Sequence, residues 1–146
     1  MKKTLNAFIA TLFLFLIAMP AQAVPCSAIV DRMCEAFDKM AKQINKCTSF
    51  EQFDKMDFSE SIDSVDFDEF SDDCFDYVLT SGDKSKLTAS VDKMWETTAK
   101  KLYEITGGAM TMDEIRAVLN PEKAKQINAI KNSKTVKELL ECMNNL

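Results

Sequence analysis

The chain of 146 residues contains no histidine. That absence removes the Ser-His-Asp and Cys-His constellations, the Cys2His2 class of zinc site and the CxxCH haem attachment sequence together. Glycine is scarce, with three residues, and the one adjacent pair, Gly107-Gly108, lacks the spacing and the lysine of a nucleotide-phosphate loop. No two cysteines stand at CxxC spacing, the arrangement that would lower a thiol pKa. No period-two alternation bounded by turns is long enough to predict a strand, and no internal repeat has the length a solenoid requires. Positive charge is in deficit as well. With 18 Lys and Arg against 23 Asp and Glu, the net charge is −5, which argues against nucleic acid as a partner because phosphate binding needs a basic face.

What is present begins with a leader. Lys2 and Lys3 precede an apolar run from Leu5 to Met19, Pro20 breaks it, and Ala21-Gln22-Ala23 offers the small-residue pattern that signal peptidase accepts. Residues 1–23 therefore read as a bacterial-type signal peptide cleaved after Ala23. The run is shorter than the ~20 residues of a spanning helix and carries Asn6 and Thr11, which disfavours an anchor. Ala23-Val24-Pro25 ahead of Cys26 is not a lipidation sequence. The expectation is a periplasmic or secreted protein with no membrane association after cleavage. Residues 24–146 then form a single domain, and the loss of two lysines takes the charge to −7.

All five cysteines, Cys26, Cys34, Cys47, Cys74 and Cys142, lie after the cleavage point, where an oxidising compartment favours pairing. Two bridges and one leftover thiol allow 15 arrangements. Cys34 and Cys47 on one continuous helix would stand ~20 Å apart and cannot pair with each other. The expected set is Cys47 with Cys74 and Cys34 with Cys142, leaving Cys26 free near the new N-terminus; exchanging Cys26 for Cys34 is nearly as good.

The apolar residues Ile29, Val30, Met33, Cys34, Phe37, Met40, Ala41 and Ile44 recur at three- and four-residue steps and predict an amphipathic helix over residues 27–46. Ser49 with Gln52 predicts a capped short helix, and a further helical piece is expected from about Ser71 to Leu79. Ser81-Gly82-Asp83 reads as a turn before the longest helix, which carries Trp95 in its apolar stripe and stops at Gly107-Gly108. Thr111 with Glu114 predicts another capping box. Asn120-Pro121 is expected to end that helix and start the next, and Ser133 to cap a last one. The fold class is all-α, an irregular bundle of five or six helices stabilised by disulfides.

The most distinctive stretch is acidic and Phe-containing, residues 50–76. Between Glu51 and Asp76 there are eleven carboxylates and one lysine, and eight of them fall at every third residue. Three is not the α-helical period, so one long helix is excluded and a loop is expected around Ser59 to Ser64. Residues 65–70 resemble the closing half of an EF-hand loop with Glu69 as the twelfth ligand. Counting back, however, puts Phe58 first, Ile62 fifth and Asp63 where a glycine should turn, so the ligand-bearing half is wrong. Phe58, Phe67 and Phe70 read as core contacts, and the seven methionines after the leader as packing.

The sequence reading is thus a small exported helical protein, non-enzymatic, acting in binding or interaction and held by two disulfides. Asp63, Asp66, Asp68 and Glu69 are its candidate cation or partner surface. The residues name no individual partner and fix no oligomeric state; a cationic protein or peptide suits the charge. Two alternatives are a small hydrolase using a carboxylate pair and weak Ca2+ binding through the 57–73 segment. No catalytic residue, cofactor or metal ligand is assigned.

Overall fold

The computed structural model describes residues 24–146; the leader expected at residues 1–23 lies outside them. Six α-helices and one short 3-10 helix make up the described chain, and no strand is present among the described residues. They are α1 (Ala28–Asn45), α2 (Phe50–Asp54), α3 (Ser59–Asp63), the 3-10 helix (Asp72–Asp76), α4 (Ser81–Ile105), α5 (Met112–Asn132) and α6 (Val136–Asn144). The all-α expectation holds.

The scaffold is α1 and α5 packed on either side of the long α4, with α6 folded beneath α5. It follows from the apolar stripes: Ile29, Val30 and Met33 of α1 meet Leu87 and Val91 of α4, Ala129 and Ile130 of α5, and Val136 and Leu139 of α6 in one core. A second, smaller cluster joins Ala41 and Ile44 of α1 to Met94 of α4, roofed by Phe53, Met56 and Phe58. Trp95 is half-buried between the two clusters, and its indole N–H donates to Gln126 Oε1 at 2.8 Å, tying α4 to α5.

Several boundaries differ from the sequence expectations. Ser81-Gly82-Asp83 is the first turn of α4 and not a preceding turn. Thr80 caps it: its hydroxyl accepts from Asp83 N at 3.1 Å while Asp83 Oδ2 accepts from Thr80 N at 2.9 Å, a capping box closed by an Asp in place of the usual Glu. Asn120-Pro121 does not break the chain into two helices; α5 runs straight through Pro121. Proline there removes one bond to the carbonyl of Ala117, and both residues are exposed, a site where the loss costs least. Ser133 closes α5 by donating its hydroxyl to the Ala129 carbonyl at 2.7 Å, and Thr135 is the residue that caps α6, accepting from Glu138 N at 3.2 Å.

The piece expected from Ser71 to Leu79 is helical only over the 3-10 turn. Tyr77 to Leu79 then run extended beside the start of α6, with Leu79 N donating to Lys134 O at 2.9 Å and Val136 N to Tyr77 O at 3.1 Å. Two expectations hold closely. Ser49 caps α2, and Gly107 and Gly108 end α4 in the left-handed region at φ 60° and 76°.

The disulfide pattern is corrected. One bridge exists among the described residues, between Cys26 and Cys74, with Cα atoms 4.9 Å apart. Cys26, expected to be the leftover thiol, is paired, and Cys34, Cys47 and Cys142 are free. The reason is direction. After α1 the chain doubles back along it, so Cys74 arrives at the N-terminal end of α1, beside Cys26. Cys47 lies past the other end of an 18-residue helix, about 27 Å away along its axis. Cys34 is half-buried within hydrogen-bonding reach of Ser90 on α4, while Cys142 is exposed on α6, so this second expected pair does not meet either.

Candidate functional site

Residues 49–76 form a strap laid antiparallel on α1. Its attachment can be followed rung by rung. At the N-terminal end of α1 stands the Cys26–Cys74 bridge. Next, Arg32 Nε donates to Glu69 Oε1 at 2.6 Å; then Lys39 Nζ donates to the Ser64 carbonyl at 2.8 Å; last, Gln43 Nε2 donates to the Asp57 carbonyl at 2.6 Å. The α1 numbers rise as the strap numbers fall. Arg32, Lys39 and Gln43 stand at i, i+7 and i+11, one flank of a helix, so a polar row on α1 reads the returning backbone. Val65, Phe70 and Cys74 are buried beneath, and Phe58 and Phe67 are half-buried, in keeping with their expected packing role.

The loop expected at Ser59–Ser64 is instead the short α3. Asp57 Oδ1 accepts from Ser59 N at 2.9 Å and so serves an orphan donor at the start of this helix, and Gln43 holds it from below through the Ser61 hydroxyl. The Ser59 amide, followed by its hydroxyl, draws the Asp57 carboxyl below its ordinary pKa.

Of the four candidate residues, Asp63, Asp66 and Asp68 come together. They are exposed around a shallow depression whose wall includes Ile62, Val65 and Phe67, and Asp66 Oδ1 accepts from Asp68 N at 3.1 Å. Glu69 does not join them. It turns toward α1 and pairs with Arg32, whose guanidinium also reaches Glu35 Oε2 at 3.1 Å. Hydrogen bonds from Glu69 first and Glu35 second hold Arg32 well above its ordinary pKa, and Lys39 followed by Arg32 draws Glu35 down. Sequence reasoning missed Arg32, Lys39 and Gln43; their shared flank was the one signal present, hidden because the partners on the strap are mainly backbone carbonyls.

Charge is unevenly distributed. The strap carries eleven carboxylates against Lys55, a net −10, whereas the rest of the chain from Val24 has fifteen basic and twelve acidic residues, a net +3. Within the strap only Glu51 and Glu69 form ion pairs among the described residues. Outside it, Asp31, Glu35, Asp38, Asp92, Glu96, Glu104 and Glu122 all do. Among the described residues no group of three Asp, Glu or Cys side chains converges to hold a metal ion. No described helix is long and apolar enough to cross a membrane. Neither a family model, nor a curated protein, nor a solved structure matches this chain.

Proposed function

We propose that this is a non-enzymatic interaction protein of an oxidising, extracytoplasmic compartment, and that the exposed face of the strap engages a cationic protein or peptide. The observation that carries the reading is the contrast in pairing: nine strap carboxylates have no basic partner among the described residues, although basic residues there neutralise most acids outside the strap. A field of one sign steers an oppositely charged partner, and the exposed Phe50 and Ile62 on the same strap supply apolar contact.

The hydrolase reading has less support. A general acid working near neutral pH needs a carboxyl whose pKa is raised, and Glu35, Asp57, Asp83, Glu96 and Glu114 are each held below their ordinary values. Weak Ca2+ binding loses its best ligand to Arg32.

The test is affinity capture from an envelope fraction with the oxidised protein, repeated with Asp63→Asn, Asp66→Asn and Asp68→Asn combined. The specific partner should be lost in the triple variant and eluted from the native protein by moderate salt. Capture of the same partner by both proteins, unaffected by salt, defeats the reading.

A further inference from the structure

The strap and the scaffold differ in what holds them. The most deeply buried large side chains, among them Ile29 and Val30 of α1, Leu87 and Val91 of α4, Ile130 of α5 and Leu139 of α6, all belong to the four scaffold helices. The strap has fully buried apolar side chains only at Val65, Phe70 and Cys74, half-buried ones such as Phe53, Phe58 and Phe67 resting on the core clusters, three polar rungs to α1, and the bridge. Against these act its net charge of −10 and the absence of any helix longer than five residues. A segment with few buried contacts and strong self-repulsion belongs to the low-stability end of a structure and opens without the rest.

We propose that the Cys26–Cys74 bridge is a redox latch: reduction by a dithiol frees the strap from α1 as one unit while the α1–α4–α5–α6 scaffold stays folded. The bridge joins residues 48 positions apart and closes a ring that contains α1 and nearly all of the strap, so cutting it restores most of the freedom that opening would gain. Cys26 is half-buried and Cys74 is 2% exposed, so Cys26 presents the sulfur a reductant meets. The attacking thiolate forms a mixed disulfide with Cys26, Cys74 departs as thiolate and takes up a proton, and the other thiol of the reductant then displaces Cys26. The products are two cysteine thiols and the oxidised reductant. Opening uncovers Phe67, Phe70 and the flank of α1 carrying Arg32 and Lys39, so an acidic face is exchanged for an apolar and basic one. This device does not depend on the partner reading.

Amide hydrogen exchange on the whole protein tests it, comparing the oxidised form with the same protein in dithiothreitol and with the double variant Cys26→Ser, Cys74→Ala. Exchange over residues 57–76 should quicken at least about tenfold in both, while Leu87–Ala99 and Ile115–Ile130 keep their protection. Unchanged exchange in the strap overturns the proposal. So does equal loss of protection in α4 and α5, or failure of both the reduced protein and the variant to fold, because either result means that strap and scaffold are one cooperative unit.

Discussion

Glu69 stands apart from the other carboxylates of the strap because Arg32 faces it. Its side chain is 22% exposed and that of Arg32 39%, so solvent screens the pair only in part. Glu69→Gln should lower the melting temperature by a few degrees, while Asp66→Asn, which removes a charge with no basic partner among the described residues, should leave it unchanged or slightly higher. The three free thiols separate in the same way. Cys142 is exposed; burial pushes Cys34 above its ordinary pKa, partly offset by Ser90; Cys47 is buried with its thiol directed at the Gln43 carbonyl. Alkylation of the native protein followed by peptide mass analysis should label Cys142 first, with Cys34 and Cys47 labelled at a comparable rate only after unfolding. At this scale the sequence was a partial guide. It grouped Asp63, Asp66, Asp68 and Glu69 as one surface; the three aspartates line one depression, and Glu69 pairs with Arg32 instead. It misjudged Glu69 and Cys26, because the partner of each is set by the direction in which the chain returns along α1, and residue spacing does not contain that direction.

Helix interiors were legible from their apolar stripes, and helix ends less so, because an end is decided by one or two hydrogen bonds that several nearby residues are able to make. Asp83 and Pro121 illustrate the two ways of being misled. Asp83 has the chemistry of a turn residue and closes a capping box; Pro121 has that of a helix start and lies in the middle of one. Replacing Pro121 with alanine should stabilise the protein by about 2 kcal/mol, since it restores a helical bond at an exposed site, and chemical denaturation would measure the gain. The capping boxes also set an acid limit. Desolvation raises the Asp83 pKa, but hydrogen bonds from Thr80 and Tyr77 outweigh it, and the Glu114 carboxyl is drawn down by the Thr111 amide and hydroxyl. Folded values below unfolded ones mean that this stability is present above pH ~4 and is lost as pH falls through the folded values. Melting temperature should therefore decline below about pH 4, and less steeply in Thr111→Ala, which removes part of the interaction with Glu114.

For the molecule as a whole, the separation of charge into a −10 strap and a +3 remainder is the dominant fact. It was present in the sequence as a run of acids but became a surface only once the strap was seen to lie flat on α1. Divalent cations offer a check on what that surface does. Millimolar Ca2+ should shift the melting temperature no more than Mg2+ at the same concentration, because screening acts on both alike and no converged ligand set among the described residues prefers either.

The position of Cys74 in the chain has one more consequence, for the order of folding. Synthesis delivers Cys26, Cys34 and Cys47 before Cys74, the partner of Cys26, has been made. During that interval the danger is premature bonding among the early three. A chain that winds α1 as soon as it emerges spreads those sulfurs along a rigid rod and turns Cys34 toward the side where α4 will arrive. The first helix is then a chaperone to its own cysteines, keeping the earliest one unspent until the strap comes back to claim it.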